Sequence, residues 1–146
     1  MKHKLFLGSG SPRRVAFLQQ LGIPFEQRII AVEEVYPETL KGAAITDYLA
    51  QLKGKAHQEQ LQKNELVLTA DTIVWFNESA LGKPKNKGHA VEMLTALSGN
   101  THDVITSVCL SSKENQTCIQ ATTQVTMAPL SKDDITHYVK THKPFD

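Results

Sequence analysis

The apolar run Leu5-Phe6-Leu7-Gly8 passes directly into Ser9-Gly10-Ser11-Pro12-Arg13-Arg14. No other stretch restricts the fold as much. A short strand that ends in small residues and turns at once into a helix belongs to a sheet covered by helices. Ser11 has the side chain of an N-cap, and Pro12 falls at the first helical position, where its missing N–H costs nothing. Gly8 and Gly10 carry no side chain, so the backbone there can approach a ligand closely. Free N–H groups, the Ser9 and Ser11 hydroxyls and two guanidinium groups at one helix start suit a polyphosphate. Arg13 and Arg14 diverge by roughly 100° around the helix axis, so at most one of them holds phosphate bidentately. An ordinary capped helix with two solvated arginines fits the same residues. No Gly-Lys-Ser/Thr follows, as a Walker loop requires, and Arg13 stands where a dinucleotide fingerprint has its third glycine.

Beyond this junction, strand and helix patterns alternate. The spacing predicts a helix over Pro12–Leu21 with Val15, Leu18 and Leu21 on one face and Gly22 as its stop. A second strand is expected over Phe25–Val32, followed by the acidic turn Glu33-Glu34. Tyr48, Leu49, Leu52 and Ala56 recur at helical spacing. Leu66–Phe76 reads as a strand, Asn77-Glu78-Ser79 as a turn and Leu81-Gly82-Lys83-Pro84 as an extended or loop segment. Ala90, Met93, Leu94 and Leu97 mark another helix ending near Ser98-Gly99. Val104–Leu110 and Cys118–Met127 are strands joined by Lys113-Glu114-Asn115, with Ile119, Ala121, Val125 and Met127 on one face. Ser131 and Asp134 form a variant of the capping box before a last helix carrying Ile135, Tyr138 and Val139. The order implies an α/β protein with a mixed, twisted sheet and flanking helices.

Composition narrows the function classes. A chain of 146 residues suits a single domain over 1–146. The net charge of +1 and the aromatic content of 6% argue against nucleic acid as a partner. No apolar run reaches the roughly 18 residues of a membrane span, and the run of three apolar residues directly before Gly8 is too short for a signal peptide. A cytoplasmic protein without membrane contact is expected. Cys109 and Cys118 lack metal-ligand spacing and are expected as reduced thiols, with a disulfide the alternative.

Asp71 is the second informative residue. It interrupts a strand made of Leu66, Val67, Leu68, Ile73, Val74, Trp75 and Phe76, where a carboxylate is disfavoured and, if buried, needs a cation or several donors. Such a group can bind a divalent metal or activate water; a strand-edge carboxylate bonded to backbone or solvent is the alternative. Glu33 and Glu34 offer hard oxygen ligands of the kind Mg²⁺ takes alongside substrate phosphates, or they form a solvated turn. Lys53 and Lys83 are candidate phosphate ligands, with Lys83 presented between Gly82 and Pro84. His137 and His142 diverge by roughly 140° on a helix and cannot share a transition metal. No Gly-x-Ser-x-Gly elbow is present.

Together these segments resemble the Maf family of septum-formation-inhibitor-like nucleoside triphosphate pyrophosphatases. The resemblance rests on Leu7-Gly8-Ser9-Gly10-Ser11-Pro12-Arg13-Arg14, Val32-Glu33-Glu34, Leu49-Ala50-x-x-Lys53 and Ala70-Asp71-Thr72-Ile73-Val74. It continues through Leu81-Gly82-Lys83-Pro84, Met93-Leu94-x-x-Leu97-Ser98-Gly99-x-x-His102-x-Val104-x-Thr106 and Thr123-x-Val125. It implies a Maf/ITPase-like fold and hydrolysis of a nucleoside triphosphate between the α and β phosphorus atoms. By resemblance, Asp71 is the proton acceptor that activates water, with Glu34 beside it in the catalytic group. Glu33 or Glu34, with Asp71, would hold Mg²⁺ or Mn²⁺. Substrate would be bound by Ser9, Ser11, Arg13, Arg14, Lys53, Thr72 and Lys83. Arg13 and Thr72 are similar to the dTTP/UTP branch, and a homodimer is compatible with it. Family members continue past the point matching Lys143-Pro144-x-Asp146 into a Lys-Ala-Gly-x-Tyr-Gly-Ile-Gln segment, so the resemblance implies a domain whose C-terminal part is missing. A non-catalytic nucleotide-binding module that regulates division is the second reading of the same residues.

Overall fold

The structure, a computed structural model, describes residues 3–82 and 84–142. Strand β1 (Lys4–Leu7) leads into α1 (Pro12–Gln20), β2 (Glu26–Gln27), α2 (Ala43–Gln58) and β3 (Glu65–Phe76). Then follow β4 (Ser79–Leu81), α3 (Lys87–Leu97), β5 (Thr101–Ser111), β6 (Gln116–Thr126) and α4 (Lys132–His142). The sheet runs β2-β1-β3-β5-β6, with β4 paired to β3. β1 is parallel to both β2 and β3, and β4 is antiparallel to β3, which makes the sheet mixed. Parallel neighbours need helical crossovers, and α1 and α2 supply them.

Two compact units divide the chain. The first holds residues 1–72 and 106–121. In it, Leu7 pairs with Leu68 and Gly8 N–H continues the ladder to Leu68 O at 2.9 Å. Ser11 caps α1 as its sequence foretold, accepting from Arg14 N–H at 3.4 Å with Pro12 in the first turn. Gly22, at φ 70°, ends that helix, where a left-handed residue lets Gly22 and Ile23 N–H reach the carbonyls of Gln19 and Leu18. Only Leu18 of α1 is buried; Leu21, expected on the apolar face, is exposed. α2 buries Ile45, Thr46, Leu49, Ala50, Gly54 and His57, while Tyr48 stays exposed. Phe6, Leu61 and Val67 form a packed cluster in which none exceeds 2% exposure, and truncating Phe6 to alanine would cost about 3–5 kcal/mol.

Two expectations for this unit need correction. The strand expected over Phe25–Val32 shrinks to Glu26–Gln27, because its partner β1 ends at Leu7 and turns away into the Gly8–Ser11 loop. Arg28 N–H still reaches Leu7 O at 3.0 Å, and the chain beyond it has no strand to follow. Cys109 and Cys118, expected as free thiols, form a disulfide. The turn between β5 and β6, closed by Ser112 N–H on Asn115 O, sets the register that brings the two cysteines face to face with Cα atoms 4.2 Å apart.

The second unit holds residues 73–105 and 122–146. Asn77 and Glu78 take positive φ values of 51° and 60° and turn β3 into β4, so Ser79, expected in the turn, begins a strand, and Leu81 of the expected extended or loop segment ends it. Asn86 Oδ1 caps α3 by accepting from His89 N–H at 2.8 Å. The capping box at α4 forms as expected: Asp134 N–H donates to Ser131 Oγ at 3.0 Å and Ser131 N–H to Asp134 Oδ2 at 3.4 Å. Ile135 and Val139 are buried. β6 is largely exposed, Ile119 included, so the apolar face expected there is not covered among the described residues. No described helix is long and apolar enough to cross a membrane.

The disulfide closes a short loop between positions nine residues apart. Without reductant, Cys118→Ser should lower the free energy of unfolding in urea by about 2 kcal/mol. With reductant present in both samples, the difference should fall below about 0.5 kcal/mol.

Candidate active site

The site grows from the end of β1 and the middle of β3, both in the first unit. Leaving β1, the chain forms a tight turn in which Ser11 N–H donates to Ser9 Oγ at 3.1 Å. Gln27, next along on β2, donates its amide to Ser9 O at 3.0 Å and fixes the outside of the turn. Arg14, one turn into α1, folds back over it. Its Nη1 donates to Ser9 Oγ at 3.2 Å and to Ala70 O at 3.3 Å, and its Nη2 to Thr72 Oγ1 at 3.5 Å. Thr72 shares a hydrogen bond of 2.9 Å with Thr106 on β5.

Alternation along β3 puts Asp71 on the opposite face from Thr72, and α2 covers that face. Lys53 Nζ donates to Asp71 Oδ1 at 3.1 Å and to Ala70 O at 3.2 Å, and stands 2.7 Å from Glu34 Oε1. The carbonyl of Ala70 therefore collects both cations, a role that its side chain could not announce. Asp71 is 7% exposed, and its Oδ2 is buried with no hydrogen-bond partner among the described residues. Burial pushes the Asp71 carboxyl above its ordinary range; Lys53 opposes this by charge and hydrogen bond, Glu34 adds to it, and Arg14 opposes it. The result is a carboxylate with raised affinity for a proton, the property wanted in a general base. Arg14 is lowered from its ordinary value by burial, with Asp71 and Glu34 opposing and Arg13 reinforcing.

The sequence-expected residues therefore separate. Ser9, Ser11, Arg14, Lys53, Asp71, Thr72 and Glu34 come together in one constellation. Glu33 and Arg13 are exposed, and of the acidic pair it is Glu34 that reaches Lys53. Lys83 lies outside the described residues. Among the described residues no three His, Cys, Asp or Glu side chains group closely enough to hold a metal ion by themselves. Sequence reasoning missed Gln27, whose strand of two residues carries no periodic signal. It also missed His57, although its place one turn after Lys53 puts it on the same helix face.

The profile described as Maf-like protein matches residues 4–146. The chain belongs to the Maf-like family. Among curated relatives, the dTTP/UTP pyrophosphatase of Flavobacterium johnsoniae is 46% identical over 145 residues, covering 99% of this chain and 75% of the relative. The dTTP/UTP pyrophosphatase of Flavobacterium psychrophilum is 48% identical over 143 residues, 98% of this chain and 73% of the relative. Two solved structures share the Maf-like chain's fold at low identity. A nucleoside-triphosphatase (dITP/XTP pyrophosphatase) from Mycobacterium abscessus has a TM-score of 0.55 at 12% identity, covering 84% of this chain and 73% of its own. The Staphylococcus aureus Ham1 protein has a TM-score of 0.52 at 14% identity, covering 97% and 93%.

The raised Asp71 carboxyl makes a stability prediction. The native state holds a proton on this group more tightly than the unfolded chain does, so its contribution to stability worsens as pH rises through the native titration. Asp71→Asn should melt at a higher temperature than the parent at pH 7, with Lys53 still paired to Glu34. That advantage should shrink as the buffer is taken toward pH 4, in melts followed by circular dichroism.

Proposed function

We propose that this Maf-like chain hydrolyses a nucleoside triphosphate of the dTTP/UTP class to the monophosphate and pyrophosphate. The observation that carries the reading is the pairing of a buried, proton-seeking Asp71 with Lys53 and with the Ser9–Arg14 turn. The turn and its two cations suit the triphosphate. Ser9 and Ser11 hydroxyls, the guanidinium of Arg14 and the ammonium of Lys53 supply donors to phosphate oxygens. Asp71 takes a proton from a water aimed at the α phosphorus. The new bond joins the water oxygen to that phosphorus, and the bond to the bridging oxygen of the β phosphate breaks. Pyrophosphate leaves with its negative charge held by the same cations.

Charge balance favours a divalent ion in this reading. Among the described residues that meet here, Arg14 and Lys53 are matched by Glu34 and Asp71, which leaves no surplus positive charge among these four for a triphosphate. The orphaned Oδ2 of Asp71 and the carboxylate of Glu34 are hard oxygen ligands of the kind Mg²⁺ or Mn²⁺ takes together with phosphates. When bound, such an ion would polarise the phosphoryl oxygens and neutralise their charge. Lys53 then has a second task, to keep the two carboxylates near each other before substrate arrives.

Asp71→Asn should slow pyrophosphate release by at least about 100-fold while dTTP still binds. Separation of the products of dTTP hydrolysis by ion exchange checks the reading. Monophosphate with pyrophosphate is expected; diphosphate with phosphate, or full activity in the variant, would contradict it. Arg14→Lys keeps the charge but loses the planar fork, and should raise KM about tenfold or more.

A further inference from the structure

His57 is a buried titratable group that the reaction does not use. It follows Lys53 by one turn on α2 and is 1% exposed. A methyl group on Gly8 would lie 2.7 Å from His57 Nε2, and 3.0 and 3.1 Å from the methyls of Thr69 and Val67. The ring thus fills the space beneath Gly8, where the phosphate turn begins. Gly8 N–H is tied to Leu68 O, and the next residue is Ser9, whose hydroxyl receives Ser11 N–H and Arg14 Nη1. One helix therefore carries both the cation that reaches Asp71 and the ring that supports the turn.

We propose that His57 is a positioning residue for the phosphate turn, its ring fixing Gly8 and through it Ser9 Oγ, and that the support is lost when the ring takes a second proton. The inference rests on reading Gly8–Arg14 as a phosphate site. His57 Nδ1 is buried and has no hydrogen-bond partner among the described residues. In the neutral ring it can remain a bare acceptor; in the imidazolium both nitrogens carry hydrogen, and Nδ1 becomes a buried donor with nothing to receive it. The described side chains that meet His57 Nε2 in the space under Gly8 are those of Val67 and Thr69 on β3, both uncharged. The charged group facing it is Arg28, held over the Phe6 ring at 3.7 Å, while Lys53 on its own helix is engaged by Asp71 and Glu34. Burial, then Arg28, lowers the imidazole from its ordinary value, so the neutral ring persists to lower pH than in an exposed histidine. Protonation would set a charge and an unpaired donor under the turn, and the turn must shift to relieve them.

The test compares the parent chain with His57→Gln and His57→Asn, which keep polar bulk but do not titrate. Inorganic tripolyphosphate is the probe, its Kd measured by calorimetry from pH 8 to pH 5, with melts at each pH and dTTP turnover in parallel. Ionisation of the probe and of Asp71 is common to all three chains, so the ratio of parent Kd to variant Kd is the readout. The ratio should rise about tenfold per pH unit below the titration of the ring. In proton NMR of the parent, saturating tripolyphosphate should move the His57 titration to lower pH, because the neutral ring is the form that supports binding. A purely structural histidine would lower the melting temperature in acid without changing the ratio. Parallel Kd profiles, or a titration that stays put or moves upward on adding the probe, would overturn the proposal. Binding with the expected profile but no release of pyrophosphate from dTTP would contradict the hydrolytic reading and leave this one standing.

Discussion

The ammonium of Lys53 lies between Asp71 and Glu34 and also donates to the Ala70 carbonyl. Everything around it depends on that contact. A carboxylate placed inside a strand and covered by a helix loses its hydration, a cost of several kcal/mol unless a cation stays beside it. Lys53 offsets part of that cost at Asp71, with its own side chain only 19% exposed. The pair is largely held apart from water, and among the described residues the second carboxylate oxygen has no donor. A self-contained structural ion pair would have closed that valence.

The scaffold delivers this arrangement by ordinary means. Parallel pairing of β1 with β3 puts the end of one strand level with Leu68, so that the turn after Leu7 opens beside Ala70 and Asp71. The Ser11-Pro12 start fixes where α1 begins, and so where Arg14 falls on its first turn. α2 buries one stripe against the sheet, and Lys53 and His57 are four residues apart on that stripe. Thr46 on the same stripe meets Ser107 of β5 at 2.7 Å, and Ser107 in turn donates to Asp47, which steadies the start of the helix. None of these features is specialised alone. Their coincidence at one strand end places Lys53 against two carboxylates and Arg14 on the same Ala70 carbonyl.

Much of this was legible in the sequence, for physical reasons that can be named. Ser11 and Pro12 announced a helix start through capping and a tolerated missing N–H, and Asp71 stood out because a carboxylate is costly in an apolar strand. The box of Ser131 and Asp134 was readable for the same reason, since caps are local chemistry. What could not be read was set by partners distant in the chain. The second strand fell short because its neighbour turned away after Leu7, a fact invisible in Phe25–Val32 itself. The cysteine pairing depended on hairpin register, and the choice of Glu34 over Glu33 on the path of a loop without periodicity. Backbone roles are silent by nature: nothing about the alanine side chain marks the Ala70 carbonyl as the acceptor shared by Arg14 and Lys53.

The family match and the relatives named as dTTP/UTP pyrophosphatases give the family, the low-identity structural neighbours give the fold, and the chemistry then returns to the Lys53–Asp71 contact. A double-mutant cycle across that contact tests it most directly, with Lys53→Met, Asp71→Asn and the combined variant titrated with tripolyphosphate by calorimetry. If the ammonium is shared between the carboxylate and the phosphates, the two changes are strongly non-additive, with a coupling above about 1 kcal/mol. Effects that add to within about 0.3–0.5 kcal/mol would mean that Lys53 and Asp71 act independently, and would contradict the account.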